Sequence, residues 1–311
     1  MSTATTTPVR GPENRARRPW WERVLGKHPM GTAFSLPYVV FLVVVFAYPF
    51  GMAIWMSFHD YMFTAPGVTI EHPFVGLDNY VAALTDPDVR QSFVNTGIFL
   101  AIYVPLTVVG SIVLASILNT AVRWAAGFRV AFYVPYVTAS VSLVGVWLLL
   151  FSQNGLVNTV LGPLAPDPSW LINSGLAMPT IALYVTWKQL GFFILLYLAA
   201  LQGIPRDLYE AASLEGAGAV RKFWHITVPG VRTVSVLVLI LAVIIGAGLF
   251  TEPYLLTNGG GPNGASTTPV LLIYQKGIQQ TNPDVASAIG LILVILVGLL
   301  ALIANRVGKE R

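Results

Sequence analysis

Six stretches of this 311-residue chain stay apolar for about twenty residues or more, and their length limits the fold more than any other feature. A helix rises about 1.5 Å per residue, so roughly twenty residues cross the ~30 Å hydrocarbon layer of a bilayer with each backbone group satisfied inside the segment. The runs fall near residues 33–57, 93–119, 129–151, 176–201, 231–251 and 285–305, and the third and fifth are the clearest. They predict an all-α membrane protein of six transmembrane helices. Composition agrees: 55% of residues are hydrophobic, 10% are charged and the mean hydropathy is +0.69, which excludes an ordinary soluble domain. Pro37, Pro49, Pro105 and Pro135 lie in or near the runs, where neighbouring helices in a bundle can satisfy the freed backbone groups.

The net charge of +4 is distributed as membrane topology requires, not as a nucleic-acid surface. Fifteen of the eighteen basic residues fall on one side: the tail with Arg10, Arg15, Arg17, Arg18, Arg23 and Lys27; the turn with Arg123 and Arg129; the long loop with Arg206, Arg221, Lys222 and Arg232; and the end with Arg306, Lys309 and Arg311. The opposite loops hold Arg90 and Lys276, and Lys188 falls inside a run. Both termini and the long loop are therefore expected on the cytoplasmic side of a cell membrane. Residues 1–30 read as a mostly disordered basic tail, with Trp20 and Trp21 at the membrane surface, and 31–311 as the transmembrane domain. The run after the tail is too long for a signal peptide and lacks a small-residue cleavage site. Across the membrane, residues 152–175 suggest a short interfacial helix with Trp170 at headgroup level.

No catalytic constellation emerges. His28, His59, His72 and His225 are scattered over both faces, no HExxH or Ser/His/Asp grouping is present, and a chain without cysteine has no disulfide or thiolate metal site. The stretch from Gly259 to Ser266 mimics a phosphate loop in its glycines, but Ala265 stands where the lysine belongs. It reads as a turn. The chain is expected to be no enzyme and to carry no metal, cofactor or nucleotide of its own.

The long polar interruption is "LQGIPRDLYEAASLEGAGAVRKFWHITVPGV". Asp207 as N-cap with Glu210 three residues on predicts a helix over 207–220, bracketed by Pro205 and Pro229 and built from small residues that allow close approach by a partner. Glu210-Ala211-Ala212, Gly216, Ile226 and Pro229 resemble the EAA loop of membrane subunits of ATP-binding-cassette importers. "GIPRDLYEAA" and "FWHITVP" resemble the sugar-importer branch, the maltose-type permeases, with Glu215 in place of the usual Asp. The likeness runs in order from about residue 35 to the carboxyl end. It implies a type I importer permease fold in a bacterial or archaeal cell membrane, with the loop as a cytoplasmic coupling helix. It implies as partners a homologous second permease, two ATPase subunits that bind ATP and Mg, and an extracellular solute-binding protein. By the same resemblance Glu210 makes a salt link to the ATPase; read from the residues alone, it completes the cap with Asp207. Phe223 and Trp224 read as membrane-interface anchors.

Ionisable groups inside spans are functional candidates by default. Lys188, between Trp187 and Gln189, must face protein or water; one reading puts it at a substrate cavity and the other pairs it with a carboxylate such as Glu252. Tyr136 and Ser140 are spaced i, i+4 and are expected on one helix face. In maltose-type permeases the matching Tyr and Ser contact sugar, as do the positions of Lys188 and Gln189, while the matching fifth-span positions here are the apolar Ala242, Ile245, Gly246 and Leu249. The resemblance thus implies a sugar site lined by Tyr136, Ser140, Trp187, Lys188 and Gln189, with Gly246 and Gly248 giving room. The rival is an ion-coupled secondary transporter, opposed by the scarcity of carboxylates in the spans and the lack of an inverted repeat.

Overall fold

The computed structural model describes residues 29–309 apart from 65–66, 68–69 and 121–124, so the basic tail, its two tryptophans and Arg123 lie outside the described residues. The chain divides into two compact units, Met1–Met52 and Ala53–Arg311.

Helices account for the architecture: α1 (Pro29–Leu42), α2 (Tyr48–Ser57), α3 (Asp78–Thr85), α4 (Pro87–Asn119), α5 (Ala125–Val137), α6 (Ser140–Leu150), α7 (Leu156–Leu161), α8 (Ala177–Leu201), α9 (Arg206–Leu214), α10 (Ala219–Lys222), α11 (Val228–Gly230), α12 (Arg232–Ala247), α13 (Thr251–Leu256), α14 (Pro269–Tyr274) and α15 (Pro283–Lys309). π-helical turns bridge α1 to α2, α10 to α11, and follow α14. Among the described residues the only strand-like pairing is one bridge between His59 and Phe74.

Four helical stretches, Phe34–Ser57, Pro87–Asn119, Ala177–Leu201 and Pro283–Arg306, are long and apolar enough to cross a membrane. The other two expected spans are broken. α5 and α6 meet at 98°, and the helical stretch Ala219–Gly230 meets α12 at 73°. Of the two runs that look cleanest in the sequence, the third bends within itself, between Val137 and Ser140, and the fifth begins at its bend, Val231. At the first break Ala139 is extended (φ −55°, ψ 127°). A break inside a bilayer must satisfy the backbone groups it frees. Here the Ser142 and Leu143 amides, freed at the start of α6, both donate to the Ala139 carbonyl, at 3.1 and 3.3 Å.

The core of the larger unit gathers on α8. Tyr184, Phe193, Ile194 and Tyr197 are buried against Phe99 and Tyr103 of α4, Trp147 of α6, and Val238 and Ala242 of α12. Between apolar helices in lipid, packing contact rather than water exclusion holds such a core, so small residues set how closely helices approach. Gly191 shows it: a Cβ there would lie 2.1 Å from the Phe132 carbonyl oxygen and 2.8 Å from Tyr133 Cα, so α5 crosses α8 backbone to backbone. A second cluster of Ala83, Val89, Leu272 and Ile289 joins α3, α4, α14 and α15 at the opposite end from the α9 loop. Asp86 caps α4 there, accepting from the Asp88 amide at 2.8 Å, and pairs with Lys276 at 2.7 Å.

Candidate functional site

At the middle of α8, Lys188 Nζ lies 3.1 Å from Glu252 Oε1 and also donates to Ser140 Oγ. An isolated ammonium at this depth is costly, and an opposite charge plus a hydroxyl is the arrangement that makes it tolerable. Glu252 is buried and stands in the first turn of α13, just past the break that ends α12; Ser140 opens α6, just past the other break. One lysine therefore ties the start of α6 to the start of α13. Its nitrogen also sits 6.0 Å from the centre of the Tyr184 ring. The carboxylate partner expected for Lys188 is present, as Glu252.

Tyr136 and Ser140 do not share a helix face, because the 98° bend falls between them. Tyr136 instead stacks on Phe192 of α8 at 5.0 Å between ring centres, one turn from Lys188, and stays 37% exposed. Trp187 is 40% exposed beside Trp147 and Tyr184. The structure thus brings Tyr136, Ser140, Trp187 and Lys188 to one region, joined by Glu252. Gln189 and Gly246 depart from the expected cavity wall. Gln189 Oε1 accepts from the buried Tyr103 of α4 at 3.1 Å. A Cβ on Gly246 would meet Leu100 Cδ2 at 2.6 Å and Phe99 Cε1 at 3.1 Å, so this glycine lets α12 pack closely on α4 and offers no open room. Ala242 and Leu249 are likewise buried in the core.

The polar loop is built differently. α9 covers 206–214, not 207–220, and Pro205 is its N-cap; Asp207 lies in the first turn without capping it. The helix ends early because Gly216 is left-handed (φ +78°), with Gly216 N–H donating to the Ser213 carbonyl and Ala217 N–H to the Ala212 carbonyl at 2.9 Å. That pattern closes a helix on a glycine. Nothing lies within 4 Å of a Cβ built at Gly216, so it serves backbone conformation and not close packing. α9 contains no buried residue. Glu210 and Ala211 are exposed, Ala212 and Ile226 partly so, and Pro229 exposed. Leu208 is 51%, Leu214 91% and Val220 73% exposed, an unusual apolar display for a polar segment. Tyr209 OH and Thr227 Oγ1, 3.0 Å apart, and Lys222 Nζ donating to Ser213 Oγ at 2.6 Å hold the loop together. Behind it a cavity of about 820 Å³ is lined by Ile117 of α4, Tyr209, Glu210, Phe223 and Trp224.

At the far end the glycine-rich stretch is a turn, as its sequence suggests, with Gly259, Gly260, Gly261 and Gly264 all at positive φ. Asn95 of α4, not singled out from the sequence, pins it by donating to the Gly264 and Thr267 carbonyls at 2.7 and 2.9 Å. A polar side chain just inside an apolar run was the available signal. A cavity of about 330 Å³ opens beside it, lined by Gln91, Asn95, Ser174 and Asn263.

This bundle, interrupted by an exposed small-residue loop and lacking any metal-holding cluster of His or carboxylates among the described residues, has the features of a membrane transport component. The family described as binding-protein-dependent transport system inner membrane component matches residues 30–309, and the chain belongs to that family. It is a transport subunit and not an enzyme. The chain is 32% identical to the arabinooligosaccharides transport system permease protein AraP of Bacillus subtilis (strain 168), over 98% of this chain and 96% of that one. It is 30% identical to the probable ABC transporter permease protein YurN of the same organism, over 89% and 96%. It is 33% identical to the sn-glycerol-3-phosphate transport system permease protein UgpA of Yersinia enterocolitica, over 84% and 88%. In fold it is similar to a chain of the bacterial alginate ABC transporter solved with alginate pentasaccharide-bound periplasmic protein, at 22% identity and TM-score 0.77, covering 93% of this chain and 97% of that one. The type I importer permease fold is the one observed, with four unbroken candidate spans and two bent pairs among the described residues.

Proposed function

We propose that this permease forms half of the pathway of an ATP-driven importer for a sugar oligomer, with Tyr136, Ser140, Trp187 and Lys188 on the pathway face. A homologous permease supplies the other half, two ATPase subunits bind ATP and Mg, and a solute-binding protein delivers the cargo from outside. The termini and the α9 loop face the cytoplasm. The observation that carries the coupling role is the loop itself: a helix with no buried residue that exposes Glu210 together with Leu208 and Leu214, as a surface completed by another protein would. The sugar class is supported by the arabinooligosaccharide relative, which this chain matches along nearly its whole length. The glycerol-3-phosphate relative shows that related permeases handle other cargo.

ATP binding in the ATPases would push on α9, and α11 would pass the movement to α12 across the 73° bend. The test is reconstitution of the importer, purified with its partners, in liposomes loaded with ATP. Accumulation of a sugar oligomer should require both internal ATP and the external binding protein. Accumulation driven by an ion gradient without ATP would establish the secondary-transport reading instead.

A further inference from the structure

The cavity behind α9 sits where two unbroken candidate spans end. Ser116, Ile117 and Asn119 come from the last turn of α4, and Leu201 is the last residue of α8. A cavity at the end of a span lies near the headgroup level of a bilayer. Its volume of about 820 Å³ falls within the roughly 300–1,000 Å³ of small-ligand sites. Among the described residues its charged lining is Arg206, Lys222 and Glu210, two cations against one anion. Arg206 makes no ion pair among the described residues, and Lys222 gives one N–H to Ser213 and keeps two. From the cavity an apolar stripe runs along α4 toward the middle of the span: Ile117 and Val113 line the cavity, and Val109 and Leu106 continue the same face. All four are between 37% and 59% exposed. We propose that the cavity holds one anionic phospholipid of the phosphatidylglycerol type, its phosphodiester at Arg206 and Lys222 and an acyl chain along the α4 stripe. Neither the cargo nor the ATPase proposed above enters this inference, which needs only a chain that spans a membrane.

Charge and length together select this occupant. A phosphodiester carries one negative charge, and a guanidinium fork with a nearby ammonium is the donor set that matches its oxygens. The described lining carries one net positive charge, which a phosphatidylglycerol neutralises and a zwitterionic phosphatidylcholine leaves unopposed. Trp224, 61% exposed in the same lining, has the amphipathic ring that settles at the boundary between headgroup and hydrocarbon. The stripe from Ile117 to Leu106 covers about 16 Å along the helix axis at 1.5 Å per residue. A soluble subunit docked on α9 does not reach that depth, whereas a lipid chain whose headgroup rests in the cavity does. Such a lipid joins the start of α9 to the end of α4, so the composition of the leaflet bears on how firmly the loop is held.

The test places the importer, purified with its partner subunits, in phosphatidylcholine nanodiscs carrying a trace of a photoreactive lipid. The probe is phosphatidylglycerol or phosphatidylcholine with the same diazirine-bearing acyl chain, and adducts are mapped by mass spectrometry. At Val113 and Ile117 the phosphatidylglycerol probe should exceed the phosphatidylcholine probe about fivefold, the effect of one basic residue on an anionic lipid. Leu302 of α15, 62% exposed and outside the cavity, should be labelled equally by both. Arg206→Gln removes the net charge and should equalise the two probes at α4, while Arg206→Lys should keep the preference. Equal labelling in wild type would make the stripe an ordinary lipid-facing wall and overturn the proposal. Absence of adducts at Val113 and Ile117 with either probe, while Leu302 is labelled, would show a protein surface in the cavity and overturn it too. A preference that persists in Arg206→Gln would contradict the headgroup assignment. A preference abolished by millimolar inorganic phosphate would move the site to a soluble anion. Transport enters none of these readouts, so failure of the lipid site and failure of the importer reading remain distinguishable.

Discussion

The α9 loop and the Lys188 face are both polar interruptions of an apolar chain, yet they meet the cost of polarity in opposite ways. Around Lys188 the charged and hydroxyl groups bond one another, so the interruption is closed within the subunit. In α9 no residue is buried, Glu210 is exposed and Leu214 is almost wholly uncovered. A group closed within its own chain serves the fold and whatever passes beside it. A surface left open, apolar and acidic together, is completed by another molecule. The same contrast separates two glycines: Gly191 is required because a neighbouring backbone touches it, Gly216 because its own backbone is left-handed.

The contrast breaks hardest at the ion pair. Lys188→Met leaves the Glu252 carboxylate buried without its partner, which should destabilise the protein by about 3 kcal/mol or more, whereas Lys188→Met with Glu252→Gln should recover most of the loss. Thermal unfolding in detergent measures both, and additive losses in the double variant would mean the pair is not coupled. Next comes Gly191→Ala, which forces α5 off α8 and should cost about 3 kcal/mol, seen as reduced yield of folded protein. Gly216→Ala meets no neighbour and should cost about 1–2 kcal/mol, the conformational term alone, without loss of yield. Equal yields for the two glycine variants would erase the distinction drawn between them.

What the sequence makes legible follows from these same features. Apolar run length is read directly from residue order, so the four unbroken candidate spans are visible in the sequence. Hydropathy records how apolar a run is but not its direction, so the bend after Val137 was invisible, and with it the separation of Tyr136 from Ser140. The loop is recognisable by Glu210, Ala211, Ala212 and Gly216, but a glycine among small residues looks alike whether it packs or ends a helix, so the end of α9 before Gly216 is not visible in the sequence. Lys188 could be flagged as needing a partner; that Glu252, 64 positions away, would supply it depended on how α8 and α13 pack. Gly191 gave no signal, since a glycine in an apolar run looks alike whether or not another backbone lies against it.

A third polar pair sharpens the comparison at its weak end. Partial burial pushes the Asp86 carboxyl up, but the Lys276 hydrogen bond and charge and the Asp88 amide outweigh it, so the group titrates below its ordinary value of 3.8. A lowered value means a contribution present above about pH 4 and lost as the pH falls through the folded-state value. Asp86→Asn should therefore lower stability at pH 7 by less than about 1 kcal/mol, as partly exposed pairs do, and have no further effect near pH 2. Unfolding midpoints of both proteins across that range check it.

On the proposed function, the α9 loop is open because an ATPase subunit covers it. The most direct measurement is co-purification of the ATPase with wild type, Glu210→Ala and Leu214→Asp, each variant first shown to match wild type in yield and unfolding temperature. Both variants should retain folded permease but lose most of the bound ATPase, because each substitution changes an exposed side chain that supports nothing inside the subunit. Wild-type levels of bound ATPase in both would contradict it, and would make α9 a solvated connector.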